Sequence, residues 1–332
     1  MKDATIYDVA KRAGVSHQTV SRFLRGFEGI RPATREKVEQ ALAELEYRPN
    51  SAARYLRLQR TNRIGLLADN MHQSGPARTI AGATEAARSL GYVTDIVSMD
   101  GGDERSVDDA LDLMLGQQIA GIVVTAQTAV ARSALERRAI SVPVARDFGL
   151  MVEGTTESIN EHAGRVAAEH LVGLGHRRVA YVAGPDQWLA ARERADGFRQ
   201  AVTGSGGAVA VTDVGDWSAA AGYDIGLRLA ARTDDFTAIA VANDAMAMGL
   251  LAALAAEGVS VPHEVSVVGN DDTPEARFMV PSLSTVALDF GFEGAHVMTS
   301  LIAHIEGRSP DTASRLPVPS LVARASTAPA RG

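Results

Sequence analysis

Thr5-Ile6-Tyr7-Asp8-Val9-Ala10-Lys11-Arg12-Ala13-Gly14-Val15-Ser16-His17-Gln18-Thr19-Val20-Ser21-Arg22-Phe23-Leu24 is the stretch whose reading organises the rest of the chain. Thr5 is a hydroxyl N-cap, and Asp8 follows three residues later, a spacing that lets each bond the other's backbone. Ile6, Val9, Ala10 and Ala13 then recur at helical intervals. Gly14 stops this helix, because a left-handed C-cap suits glycine. Ser16 caps a second short helix that runs to about Leu24, with Val20 and Phe23 or Leu24 inward. Small Ala10 lets the two helices approach closely. Two short helices joined by a tight glycine turn predict a helix-turn-helix. A third helix starts near Pro32, which fits a first helical turn. It carries Val38, Ala41, Leu42 and Leu45 inward and Arg35, Lys37 and Glu39 outward.

The second helix presents His17, Gln18, Ser21 and Arg22 outward, with Ser16 and Thr19 beside them. Gln bonds adenine bidentately, Arg bonds the O6 and N7 of guanine, and hydroxyls bond phosphates. Charge agrees. Residues 1–60 carry a net +5, against −12 for the remainder and −7 for the whole chain. A basic piece on an acidic body expects an anionic partner at the N-terminal end. The alternative is an αα-hairpin with no nucleic-acid role.

Tyr47-Arg48-Pro49-Asn50-Ser51-Ala52-Ala53-Arg54-Tyr55-Leu56 comes next. Asn50 is a good N-cap. Ala52, Ala53, Tyr55 and Leu56 form one short apolar face. A helix of about nine residues is not stable alone. The segment is expected to order only against a second copy or DNA, where Leu56 would serve as an apolar wedge in the minor groove. A plain inter-domain linker is the other reading.

The ordered set of Thr5 to Ala10, Gly14 to Arg22, Thr34-Arg35-Glu36-Lys37-Val38 and Tyr47-x-Pro49-Asn50-x-x-Ala53-Arg54-x-Leu56 resembles the LacI/GalR family of bacterial transcription regulators. The resemblance runs over nearly the whole chain and is strongest to galactoside-responsive members. It implies that residues 17, 18 and 22 read operator bases, and that Leu56 of a hinge helix intercalates at the operator centre. The DNA-contacting set it implies is Thr5, Ser16, His17, Gln18, Thr19, Ser21, Arg22, Thr34, Asn50, Ala53, Arg54 and Leu56. His17 stands where those members carry tyrosine, so the preferred half-site differs.

The chain has 332 residues, 46% apolar and 22% charged, an ordinary globular balance with material for about two domains or more. No apolar run approaches the roughly 18 residues of a membrane span. Met1-Lys2-Asp3-Ala4-Thr5 has no apolar core of a secretory signal, so a cytosolic setting is expected. Absence of cysteine excludes disulfides, thiolate metal sites and cysteine nucleophiles. From Arg63 onward, short apolar runs alternate with helical stretches. Ile64-Gly65-Leu66-Leu67-Ala68 reads as a buried strand followed by a helix at Pro76–Leu90. Similar pairs begin at Val93, Ile119, Val179, Val209, Ile239 and Val265. This rhythm predicts parallel sheets covered by helices on both faces. About 260 residues exceed one sheet, so two lobes with a cleft are expected.

The expected class is therefore α/β, an all-α helix-turn-helix DNA-binding domain followed by a two-lobed core with parallel sheets. The resemblance implies a periplasmic-binding-protein-like core whose chain crosses between lobes three times, near 159–161, 288–290 and 317–319. The expected division is a DNA-binding domain at 1–47, a hinge and linker at 48–62 and an effector and dimerisation core at 63–332. Within the core the N-lobe takes about 63–159 and 290–317, and the C-lobe about 161–288 and 319–325.

Ligands of such folds sit at the carboxyl ends of the strands. Asp147, Arg192, Arg194, Asp216-Trp217, Asn243-Asp244 and Asp271-Asp272 all follow strand-like runs. An indole among Asp, Asn and Arg suits a neutral polyhydroxylated ligand, because the ring covers the C–H face of a sugar. Asn243 alone can equally be the cap of the helix at Ala245–Glu257. A phosphate ligand would ask for a glycine-rich phosphate loop, and none is present. The resemblance extends the pocket to Pro76, Thr125, Asp147, Arg194, Trp217, Asn243, Asp271 and Phe290. It implies that Arg194, Asp271 and Asn243 bond hydroxyls while Trp217 stacks on the ring. Thr125 stands where galactoside-responsive members carry Asn, Ala190 where they carry Ser, Ile159 where they carry Phe, and Leu288 where they carry Gln.

No catalytic signature appears. There is no H-E-x-x-H and no G-x-S-x-G. Adjacent Asp271 and Asp272 point opposite ways in an extended segment and do not converge on one glycosidic bond. His162, His170 and His176 read as helix-surface or cap residues. No metal or cofactor is expected. The expected function is a repressor of sugar-utilisation genes, released from a pseudo-palindromic operator by a galactoside. The rivals are a corepressor-dependent regulator binding a nucleobase, a regulator of another sugar, and a sugar-binding transport protein. The helix at Pro76–Leu90 and the segment Leu283–Thr285 are the expected dimer surface. No leucine heptad follows Arg324, so a homodimer without further assembly is expected.

Overall fold

The structure, a computed structural model, describes residues 4–24, 27, 29–45, 61–146, 149–309 and 316–331. The chain forms two compact units, Met1–Thr61 and Asn62–Gly332. In the first unit, α1 (Ile6–Ala13), α2 (His17–Leu24) and α3 (Pro32–Glu44) enclose a small core of Val9, Ala10, Ala13, Val20, Val38 and Ala41. The local signals explain the boundaries. Thr5 N donates to Asp8 Oδ2 at 2.8 Å while Asp8 N donates to Thr5 Oγ1 at 3.4 Å, closing a capping box. Gly14 takes φ 67°, the left-handed C-cap that a side chain would resist. Ser16 Oγ accepts from Thr19 N at 3.2 Å and so starts α2. Pro32 stands in the first turn of α3.

The second unit holds two sheets. The smaller has the order β2 (Val93–Met99), β1 (Arg63–Asp69), β3 (Gly121–Val124) and β4 (Val144–Arg146), all parallel. The larger has the order β10 (Ser320–Val322), β9 (Ser284–Ala287), β8 (Ser266–Asp271), β7 (Ala238–Val241), β5 (Arg178–Ala183) and β6 (Ala208–Val214). The strands β3, β7 and β8 are buried along their whole length, as expected where helices cover both faces of a parallel sheet. Two departures from the sequence reading stand out. β10 runs antiparallel to β9, pairing Leu321 with Val286, so the larger sheet is mixed at its edge. Leu283, Ser284 and Thr285, expected at a dimer surface, are instead buried at and within β9.

Helices flank the smaller sheet as α4 (Ser74–Ser89), α5 (Glu104–Leu115), α6 (Ala129–Arg137) and α11 (Phe290–Ile305). They flank the larger as α7 (Ile159–Gly173), α8 (Leu189–Gly204), α9 (Ala219–Ala230) and α10 (Asp244–Ala256). After β9 the chain leaves the larger sheet, because α11 packs on α4, β3 and β4. β10 then returns to the larger sheet. α4 and α11 meet backbone to backbone: a Cβ on Gly82 would lie 1.9 Å from the Gly291 carbonyl oxygen, and one on Gly294 would lie 2.0 Å from that of Thr79. No side chain fits there, and the pair is locked at close range.

The last residues are docked rather than loose. Ser326 is buried, and its hydroxyl donates to the Val267 carbonyl at 2.6 Å. Ala330 N donates to Leu174 O at 2.8 Å. His176 belongs to this anchorage and not to a helix surface: it is 2% exposed and bonds Thr237 Oγ1 at 2.8 Å and the Ala328 carbonyl at 3.0 Å. Among the described residues no helix is long and apolar enough to cross a membrane.

Candidate functional site

In the N-terminal unit, α2 carries a polar outward face. His17, Gln18 and Arg22 are exposed, Thr19 and Ser21 are half-buried, and Ser16 is exposed at the cap. Thr5 and Thr34 stand at the starts of α1 and α3. The face is partly pre-arranged. The His17 ring lies 5.3 Å from that of Tyr7, and the Arg22 guanidinium lies 3.9 Å above the Phe27 ring. Tyr7, 65% exposed, extends the face beyond the expected set. Asn50, Ala53, Arg54 and Leu56 lie outside the described residues, as does Asp147 of the expected pocket.

In the second unit a cavity of about 400 Å³ opens at the carboxyl ends of the strands. Pro76, Thr125, Arg194, Trp217, Asn243, Asp271 and Phe290 all line it. They come from both lobes: Pro76, Thr125 and Phe290 from the smaller sheet's elements, the others from the larger sheet's. Both tryptophans form its walls, Trp188 and Trp217 standing edge to face with centroids 6.3 Å apart and an interplanar angle of 83°.

Arg194 and Asp271 form the charged centre. Arg194 is 6% exposed. Its Nη1 donates to Asp271 Oδ1 at 3.1 Å and to the Ala242 carbonyl at 2.7 Å, and its Nε donates to Asn160 Oδ1 at 3.0 Å. Its guanidinium carbon lies 5.9 Å from the Trp217 ring centroid. Burial raises the Asp271 carboxyl above its ordinary range, against the pull of Arg194 and Arg78. Asp272 faces another partner, accepting from Arg324 Nη2 at 2.6 Å. The two acids therefore do not converge as a catalytic pair would.

Asn243 does two jobs. Its Oδ1 accepts from Met246 N at 2.9 Å, capping α10, and its Nδ2 donates to the Trp217 carbonyl at 3.0 Å. Trp217 needs that hold, because it sits at φ 73°, an uncommon conformation for a bulky residue. Its ring also rests on Gly184, where a Cβ would come within 2.2 Å of it. Asp244, next to Asn243 in the chain, does not line the cavity. It accepts from Thr273 N at 2.8 Å and from Thr285 Oγ1 at 2.6 Å, so its role is structural.

Two buried polar atoms on the cavity wall have no partner among the described residues, Trp217 Nε1 and Gln127 Oε1. One is a donor and the other an acceptor, and ligand hydroxyls can serve either. Sequence reading missed Gln127. It lies three residues beyond the end of β3, two beyond Thr125, so the strand-end rule carried a little further along the chain would have found it. Thr273 and Glu275, also in the wall, lay within reach of the same rule at β8.

Comparison with known proteins bears on both units. The model for bacterial regulatory proteins of the lacI family matches residues 5–50, and that for a periplasmic binding protein-like domain matches residues 168–327. The lactose operon repressor of Escherichia coli (strain K12) is 33% identical over 98% of this chain and 91% of its own length. The HTH-type transcriptional repressor PurR of Glaesserella parasuis is 31% identical over 85% of this chain and 84% of its own. The crystal structure of the lac repressor dimer bound to operator and the anti-inducer ONPF superposes with a TM-score of 0.82 at 30% identity, covering 98% of this chain and 100% of that one.

Proposed function

Since the chain belongs to the lacI family of bacterial regulatory proteins, it is a DNA-binding transcriptional repressor of sugar or other metabolic genes and not an enzyme, and we propose that its effector is a small neutral sugar, a galactoside, that releases it from its operator. The observation that carries the sugar reading is the wall around Trp217. A buried indole whose N–H has no partner among the described residues stands beside Asn243 and Arg194, in a cavity that Gln127 and Asp271 also line. The cavity's volume falls in the range of about 300–1,000 Å³ usual for small-molecule sites. The ring takes the C–H face of a sugar and the polar groups take its hydroxyls. Arg194 and Asp271 neutralise one another, which favours an uncharged ligand.

In this reading the protein acts in the cytoplasm as a homodimer. Two α2 helices enter successive major grooves of a pseudo-palindromic operator, about 34–36 Å apart. His17, Gln18 and Arg22 read base edges. Thr5, Ser16, Thr19, Ser21 and Thr34 hold phosphates. Asn50, Ala53, Arg54 and Leu56 form the hinge that bends the minor groove. Residues 1–47, 48–62 and 63–332 divide these tasks. The pocket is lined from both lobes, so a ligand that fits one lobe spacing better shifts the population toward it. Sugar binding favours the spacing that unfolds the hinges.

A second reading is a nucleobase corepressor, which Trp217 could also stack, although the hydroxyl-bonding groups around it favour a sugar. Tryptophan fluorescence separates them. Trp188 and Trp217 are the two tryptophans of the chain, and both line the cavity. A saturable change with galactosides and silence with hypoxanthine and guanine supports the inducer. The reverse supports the corepressor.

A further inference from the structure

Asp271 and Asp272 are consecutive non-glycine residues at positive φ, 114° and 46°. Such backbone persists only where neighbours over-determine it. Three arginines do so. Arg194 holds the Asp271 carboxylate, and Arg324 holds that of Asp272 while also donating to the Leu283 carbonyl at 2.8 Å. Both belong to the lobe of the larger sheet. The third, Arg78, comes from α4 in the other lobe. Its Nη1 donates to the Asp271 carbonyl at 2.9 Å and its Nη2 to the Leu288 carbonyl at 3.2 Å. Its guanidinium lies 5.4 Å from the Phe290 ring centroid.

These contacts join three parts of one device. α4 is locked to α11 at Gly82 and Gly294, so the base of Arg78 moves with its whole lobe. Asp271 ends β8 and puts its carboxylate in the cavity wall. Leu288 lies in the segment that carries the chain from β9 to α11. Arg78 does not line the cavity. It reaches the cavity through the peptide of a residue that does.

We propose that Arg78 is a positioning residue that couples lobe spacing to effector binding, by holding the strained Asp271 peptide from the opposite lobe. When the lobes rotate apart beyond hydrogen-bond reach, about 3.2 Å, the Asp271 turn loses its cross-lobe support and the carboxylate loses its fixed aim. When the cavity is filled, Asp271 is fixed from the ligand side and Arg78 transmits that to α4. The proposal rests on the pocket reading above, and its test is arranged so that the two fail separately.

The test uses the full chain with Arg78→Ala and Arg78→Lys. Lysine keeps the charge but lacks the planar fork that spans two carbonyls. Acrylamide quenching of Trp188 and Trp217 without effector reports lobe opening. Fluorescence titration with methyl β-D-galactoside gives effector affinity, and operator affinity with and without that sugar gives the coupling. Arg78→Ala is expected to raise the quenching constant about twofold, to weaken galactoside binding about tenfold and to cut the operator-release factor at least about threefold, with Arg78→Lys between. An unchanged quenching constant, with affinity and release within about twofold of wild type, overturns the proposal, even if the melting temperature falls. If the wild type binds no galactoside, the pocket reading fails, and the quenching measurement still decides on Arg78: a rise supports the strut and no change overturns it.

Discussion

Arg194 and Asp271 meet at 3.1 Å inside the protein, with side chains only 7% and 8% exposed. The pair is wrapped by the Ala242 carbonyl and Asn160, and its other side faces the cavity. A buried ion pair adds little to stability against an apolar pair, but removing one partner strands the other charge. The pair's value here lies in fixing two cavity-facing groups.

Arg194→Ala should therefore destabilise the second unit by about 3–5 kcal/mol, by leaving the Asp271 charge unpaired. Asp271→Asn strands the Arg194 charge in turn, but it should cost less, because an amide oxygen can still accept from Nη1 and the Ala242 carbonyl and Asn160 keep their bonds to the guanidinium. Both should abolish the effector response. Denaturant unfolding followed by circular dichroism checks the first claim and tryptophan titration the second.

Gly184→Ala should displace the Trp217 ring, because the added Cβ would lie 2.2 Å from it. Such overpacking costs roughly 1–3 kcal/mol, relieved here by moving the indole. Effector affinity should drop about tenfold or more while operator affinity stays within about twofold. Equal loss of both would mean the substitution damages the whole fold.

Stability should peak in mildly acidic solution. Burial lifts Asp244 to about 7, Asp271 to about 6 and Glu293 to about 7. A carboxyl whose pKa is higher folded than unfolded stabilises the fold below its unfolded value of about 4, and that contribution is lost as pH rises through the folded value. Glu157 and Asp216 are held low, the first by Arg165 and the second by Ser218, so their contributions vanish as pH falls below about 4. Thermal melts from pH 4.5 to 8.5 should show the melting temperature falling from about pH 4.5 to about 7 and levelling off above that. Glu293→Gln should flatten that fall. A melting temperature that rises steadily to pH 8.5 contradicts the assignment.

Arg22→Ala should lower operator affinity by roughly 1–3 kcal/mol, the worth of one bidentate base contact. It should leave effector affinity unchanged. Fluorescence anisotropy with a labelled operator, set beside the tryptophan titration, tests both halves at once.

The helix-turn-helix was legible because its determinants are local. Thr5 and Asp8, Gly14, Ser16 and Pro32 each act within a few residues of where they stand, and the helices begin and end at them. The pocket was largely legible for another reason: parallel strands deliver the residues at their carboxyl ends to one cleft, so Arg194, Trp217, Asn243 and Asp271 could be read without contacts. What escaped depends on distant pairings. β10 meets β9 across some thirty intervening residues, and no local pattern states the antiparallel direction. His176 is buried only because the tail returns to bond it at Ala328, 152 residues away. Leu283–Thr285, expected at a dimer surface, lie buried at and inside β9, beneath the edge strand β10. Arg78 gave no signal, since its meaning lies in carbonyls of the other lobe.

Under the proposed function, the cavity around Trp217 controls operator binding. Operator affinity should be measured by anisotropy across a galactoside titration, in the wild type and in Trp217→Ala. Galactoside should weaken wild-type binding at least about tenfold, while Trp217→Ala should bind operator normally and ignore the sugar. Full release of Trp217→Ala by galactoside, or tighter wild-type binding with hypoxanthine and no response to any sugar, would contradict it.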